Sequence, residues 1–116
     1  MEGPIKGDVV VLPFPFSDLS QSKKRPALVV ASLEGEDIIL AQITSAAKQN
    51  KYSLGLETRD FKRGSLKVAS VIRTEKLFTA EKSLVLYTLG SVTDLKRKEV
   101  EKALIEIFTR DAVGSE

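Results

Sequence analysis

The stretch Gln21-Ser22-Lys23-Lys24-Arg25-Pro26-Ala27-Leu28-Val29-Val30 sets a polar, basic loop against an apolar run, with Pro26 at the join. The apolar run reads as a buried strand over 27–32. The position before a proline is pushed to extended backbone, so Arg25 is not helical. Arg25 then sits at the first turn of the strand, while Lys23 and Lys24 stay on the mobile side. A guanidinium held on a rigid element beside a basic loop suits phosphate binding. The same spacing is also that of a solvated charge run beside a strand, because short basic runs are common on surfaces.

Upstream, residues 17–24 form a polar connection too long for a tight hairpin. Before it, Val9-Val10-Val11-Leu12-Pro13-Phe14 is apolar on both faces, as a strand covered on both sides would be. Pro13 and Pro15 have no N–H to give, so the strand should leave the sheet there or run along an edge. Phe14 and Phe16 suit core packing, and they could also stack on bases.

Downstream, Glu34-Gly35-Glu36-Asp37 reads as a solvated hairpin turn, with no second acidic cluster nearby in sequence to complete a metal site. A strand over 38–44 puts Ile38, Leu40, Gln42 and Thr44 on one face and Ile39, Ala41 and Ile43 on the other. Further short strands are predicted over 53–58, 65–68, 71–74 and 84–89, the last closed by Gly90. Residues 75–82 are ambiguous and could hold one helical turn. An amphipathic helix is predicted from a Thr93 cap to Thr109, its apolar stripe formed by Val100, Ala103, Leu104, Ile107 and Phe108. Residues 112–116 should fray. Short strands without crossover helices argue for a small, mainly-β, strongly bent antiparallel barrel of six or seven strands, closed or flanked by that helix.

The 116 residues fit a single domain over 1–116, and a chain of this size buries roughly 65% of its unfolded surface. Cysteine and histidine are both absent. Disulfides, thiolate zinc sites and thiol nucleophiles are therefore excluded, along with the commonest general acid–base group. No apolar run has membrane-spanning length and the amino terminus lacks the pattern of a signal peptide, so a cytoplasmic protein is expected. The formal net charge of +2 says little by itself; placement matters more. Basic residues gather in three loops, 23–25, 48–51 and 59–63. On one face they would make an electrostatic track for a polyanion; scattered, they would be solubilising surface.

With dispersed carboxylates, two-metal hydrolysis is not expected. What remains is metal-free phosphoryl transfer in which the substrate supplies the nucleophile. The 2′-hydroxyl of RNA is such a group, already held beside its own phosphate. The protein then has only to orient the phosphate and stabilise the added negative charge. Arg25 suits that role and Thr44 could donate a hydrogen bond to the same phosphate. DNA should not be cut.

Gly7-Asp8-Val9-Val10, Lys24-Arg25-Pro26-Ala27-Leu28-Val29-Val30, Gln42-Ile43-Thr44-Ser45 and Ser70-Val71-Ile72-Arg73 follow one another at intervals that resemble the PemK/MazF family of toxins from toxin–antitoxin modules. The likeness extends to Leu89-Gly90 before the final helix. It implies an SH3-like barrel of the CcdB/MazF type, a homodimer, and a sequence-selective, metal-independent endoribonuclease. The implied products carry a 2′,3′-cyclic phosphate and a 5′-hydroxyl. The family's catalytic arginine and threonine match Arg25 and Thr44, and its substrate-gating loop matches residues 17–24. Around them, Ser20, Ser22, Lys23, Lys24, Gln42, Ser45, Lys48 and Arg73 are the expected RNA contacts. No metal or other cofactor is expected. The implied partners are single-stranded RNA and a cognate antitoxin, whose acidic, disordered segment would compete with RNA and which would bind DNA together with the toxin.

A guanidinium hardly releases a proton in proteins, so Arg25 is expected to stabilise charge rather than act as a base. Two other readings remain. The related gyrase poisons share the barrel and act by binding through aromatic residues near the carboxyl terminus, but this chain has no Trp and ends Val113-Gly114-Ser115-Glu116. A non-enzymatic SH3-like module is the other, and Arg25 and Thr44 occurring together weighs against it.

Overall fold

The computed structural model describes residues 3–14 and 23–111. Among these, the chain makes seven strands and one helix: β1 (Asp8–Phe14), β2 (Lys23–Ser32), β3 (Asp37–Ser45), β4 (Ser53–Leu56), β5 (Phe61–Gly64), β6 (Ser70–Glu81), β7 (Tyr87–Val92) and α1 (Asp94–Thr109). The strands form one antiparallel sheet in the order β4-β6-β3-β2-β1-β7-β5. The architecture is a mainly-β half-barrel with a single helix after the last strand, as the pattern of short strands predicts. Residues 17–22 of the expected gating loop, with Ser20 and Ser22, and Phe16 fall outside the described residues, as do residues 112–116.

Both faces of the sheet carry a core, which is why the central strands read as apolar throughout. On one face Val9, Leu28, Ala41, Ile43, Leu56, Ile72 and Val92 pack against Val100 of α1. On the other, Val10, Leu12, Phe14, Ala27, Val29, Ile38 and Leu40 pack with Phe78, Ala80 and Val85. β1 and β6 lie three places apart in the sheet, roughly 14 Å if it were flat. Yet the Phe14 and Phe78 rings meet edge-on with centroids 5.0 Å apart, so the sheet bends sharply there. Leu56 of β4 and Phe61 of β5, from opposite edges of the sheet, share the helix-side core. A strongly twisted sheet accounts for both approaches.

The helix begins where its cap predicts. The Thr93 side chain accepts a hydrogen bond from the Lys96 backbone N–H at 3.1 Å. Val100 is buried and Leu104 packs beside it, whereas Phe108, predicted for the same stripe, is 70% exposed. Phe108 lies 80° round the helix from Val100 at the ordinary 100° per residue, off the line of contact with the sheet. Lys96, by contrast, is only 8% exposed. Its ammonium donates to the Gly55 carbonyl at 2.9 Å and pairs with Glu99 at 2.8 Å, tying α1 to β4.

Several strand boundaries differ from the sequence reading. β2 starts at Lys23, not Ala27, because its ladder with β1 continues past Pro26 through Leu12↔Arg25 and Phe14↔Lys23. β5 falls in the predicted third basic loop and 65–68 is not a strand. The ambiguous stretch 75–82 belongs mostly to β6, which runs unbroken to Glu81. A bulge at residues 74–76 of β6, opposite Ala41 and Gln42 of β3, breaks its alternation between Arg73 and Leu77, so its continuity is hidden in the sequence. Gly90 lies inside β7 rather than closing it. There β5 and β7 approach so closely that a Cβ on Gly64, whose φ is +70°, would run into the Leu89 carbonyl.

Candidate nucleic-acid interface

The ladder between β2 and β3 pairs Leu28 with Ala41 and Ala27 with Gln42, then stops beside Pro26, which has no N–H to give. Carried two residues further, the same register sets Arg25 opposite Thr44. On the far side of β3, Thr44 pairs with Val71 and Gln42 with Arg73 of β6, and Arg73 also pairs with Ser53 of β4. Opposed residues share a face of a sheet, so Arg25, Gln42, Thr44 and Arg73 stand on the face away from α1. Lys23, two residues before Arg25, alternates onto the same face. This is the polar end of the face whose other end is the dry core around Leu40 and Val29.

Exposure follows that change of character. Leu40 and Ala41 are fully buried, Gln42, Thr44 and Arg73 are half-buried, and Arg25 and Lys23 are exposed. Among the described residues, no acidic side chain lies within ion-pair distance of Arg25. Lys48 follows in the 3-10 turn Ala46–Lys48, directly after the end of β3, and is exposed. Lys24 and Ser45 alternate to the opposite face, Ser45 pairing with the buried Ser70. They border the corner without facing into it.

Two of the three basic loops therefore meet at one end of the sheet. The third does not. Lys62 lies 3.7 Å from Asp94 and Arg59 3.3 Å from Glu57, while Arg63 donates to the Ser91 hydroxyl at 2.8 Å. Ser91 in turn pairs with Asp8, at the end of β1 remote from Arg25. That loop is a surface packed around the start of α1. A separate cavity of about 510 Å³ lies between β4 and the last turns of α1, where Lys51 and Arg110 flank the Tyr52 ring.

Sequence reasoning missed the partners of Arg73. The Glu75 carboxylate accepts from the Arg73 Nε at 2.9 Å and from the Asn50 side-chain amide at 2.9 Å, and it lies 2.7 Å from the Arg73 Nη2. Burial pushes the Glu75 carboxyl up, but hydrogen bonds from Asn50, Arg73 and its own backbone, with the Arg73 charge, leave it below the ordinary carboxylate value. Glu75 lies in the bulge of β6, where strict alternation fails, and Asn50 is 25 residues away, so neither contact was legible in the sequence. No group of three or more acidic, His or Cys side chains suited to a metal ion occurs among the described residues.

Fold and site together define a small half-barrel with a cationic corner at the open end of one face. The chain belongs to the PemK-like, MazF-like toxins of type II toxin–antitoxin systems, a family of endoribonucleases, whose pattern matches residues 5–108. Its fold is that of MazF from Deinococcus radiodurans, at 22% identity and a TM-score of 0.72, over 95% of this chain and 100% of that one. A MazE–MazF complex from the same organism gives 20% identity and a TM-score of 0.73, over 95% and 100% of the two chains. A mycobacterial endoribonuclease in complex with its cognate antitoxin gives 15% and 0.71, over 94% and 99%. No curated protein matches by sequence. No helix among the described residues is long and apolar enough to cross a membrane.

Proposed function

We propose that this protein is the toxin of a type II module and cleaves single-stranded RNA at selected sequences without a metal ion. The observation that carries this reading is an exposed guanidinium, Arg25, with no described acidic partner, on the strand beside Thr44. In the proposed reaction the 2′-oxygen attacks the adjacent phosphorus while the bond to the 5′-oxygen breaks. The products are a 2′,3′-cyclic phosphate and a 5′-hydroxyl. The proton of the 2′-hydroxyl passes to water or to a substrate group, and the departing 5′-oxygen gains one. Arg25 stays charged throughout and stabilises the negative charge that builds on the phosphoryl oxygens, in a position fixed before the reaction begins. Thr44 donates to the same phosphate.

Lys23 and Lys48 extend the positive field along the RNA backbone, with Gln42 and Arg73 placed nearer the bases; Lys24 and Ser45 flank the corner. The proposal extends to a cytoplasmic homodimer and to an antitoxin whose acidic segment covers the same corner, the pair binding DNA together.

The test is incubation of a defined RNA and its DNA counterpart with purified protein in EDTA, followed by mapping of the ends. Cleavage of RNA alone, leaving cyclic phosphate and 5′-hydroxyl ends, is expected. Intact RNA together with inhibited gyrase supercoiling would replace this reading by that of a gyrase poison.

A further inference from the structure

The two arginines of the corner differ in electrical state. Arg25 is exposed and has no described counter-charge, whereas the Arg73 side chain is 17% exposed and locked against Glu75, itself 22% exposed. Both contacts to Arg73 come from one oxygen, Oε2, which also receives the Asn50 amide. The other oxygen, Oε1, is buried with no partner among the described residues. The carboxylate is thus oriented for Arg73 rather than for its own solvation. Asn50 is fixed as well. Its backbone N–H donates to the Ser53 hydroxyl at 2.9 Å and its side-chain oxygen accepts from the Tyr52 N–H at 2.8 Å. A chain of contacts therefore runs from the turn before β4 through Asn50 and Glu75 to one guanidinium plane.

We propose that Glu75 is a positioning residue that converts Arg73 from a phosphate-binding cation into a neutral, directional donor for the edge of an RNA base. This rests on the nuclease reading above. A phosphate is recognised largely by counter-charge, and the Arg73–Glu75 pair carries none in sum. Glu75 occupies Nε and one side of Nη2, leaving Nη1 unpaired among the described residues. The remaining N–H groups suit a base that presents two acceptors on one edge, as guanine does with O6 and N7. Unstacked bases in single-stranded RNA offer such edges freely. Arg73 is the diagonal neighbour of Thr44 across β3 and β6, on the order of 7–8 Å away. That distance puts it within reach of a base flanking a phosphate held at Thr44.

The experiment compares the wild type, Glu75→Gln, Glu75→Asp and Asn50→Ala on a pool of RNAs varied at the positions flanking the cut. Ends are mapped, kcat and KM are measured across a salt series, and thermal melting checks the fold. Glu75→Gln is expected to lower the preference for one base at one position about tenfold, raising KM on the preferred RNA more than it lowers kcat. Because Arg73 then becomes an uncompensated cation, the slope of log affinity against log salt should steepen by about 0.7, one single-strand phosphate contact. Glu75→Asp should restore part of the selectivity. Should Glu75→Gln fail to fold, Asn50→Ala, which loosens the carboxylate but keeps its charge, is expected to weaken the same base preference on a smaller scale without changing the salt slope.

A folded Glu75→Gln protein with unaltered base preference and salt slope, or in its place Asn50→Ala with unaltered base preference, would overturn this role and leave the nuclease reading standing. A wild-type protein that cuts no RNA in the pool would overturn both.

Discussion

The two faces of β3 start alike and end differently. Towards α1 the strand shows Ile39, half-buried, and then Ala41 and Ile43, which share a core with Val100 and Leu104. Away from α1 it shows Ile38 and Leu40, buried in the second core, then Gln42 and Thr44, half-buried at the cationic corner. Adjacent residues on one strand thus serve opposite purposes. The site is an unfinished core, a face on which apolar packing stops at Leu40 and leaves rigid backbone carrying polar side chains. Rigid placement of this kind is what charge stabilisation in a transition state requires.

Substitutions at neighbouring positions should separate the two faces. Ile43→Ala should destabilise the fold by about 2–5 kcal/mol, as large-to-small changes in a core do, while the folded fraction keeps its activity. Denaturant unfolding and rate per folded molecule separate the two effects. Arg25→Ala should do the reverse, leaving melting unchanged and lowering RNA cleavage by roughly 10²–10³, the scale of one lost oxyanion donor. Arg25→Lys should recover only part of that, because an ammonium lacks the planar fork. Wild-type cleavage by Arg25→Ala would remove the assignment.

Thr44→Val keeps the shape and removes the hydroxyl, so its loss of rate should be smaller than that of Arg25→Ala. An undiminished rate would make Thr44 part of the core after all. The smallest effect is a pH dependence at Glu75. Its folded-state pKa is depressed, so its contribution to stability is fully present above the ordinary value of 4.5 and is lost as pH falls through the lower folded value. Glu75→Gln should accordingly lack that contribution at neutral pH, and its deficit in stability relative to the wild type should shrink as pH falls below about 4.5.

Much of this was legible in the chain. The alternation of residues 38–44 already separated Gln42 and Thr44 from Ala41 and Ile43, because a strand has a period of two whatever it packs against. The Thr93 cap and Val100 were visible for the same local reason, as was the break at Pro26. Less legible were the stretches whose pairing overrides their composition. Arg25 and Lys23 belong to β2 because β1 pairs with them, although nothing apolar marks them. Leu77 and Phe78 rejoin the ladder only after a bulge, which polar Glu75 and Lys76 disguise as a turn. Phe108 looked like core, but it lies about 80° round α1 from Val100 and is exposed.

Local order along the polymer was therefore sufficient for the class of fold and for the capped helix. Backbone geometry acts over a few residues, and sequence records it directly. The neutral pairing of Arg73 with Glu75 and Asn50, and the separation of the third basic loop from the other two, were decided only in three dimensions. Charge compensation depends on distance through space, and in a twisted sheet that distance is set by register and bulges rather than by position in the chain.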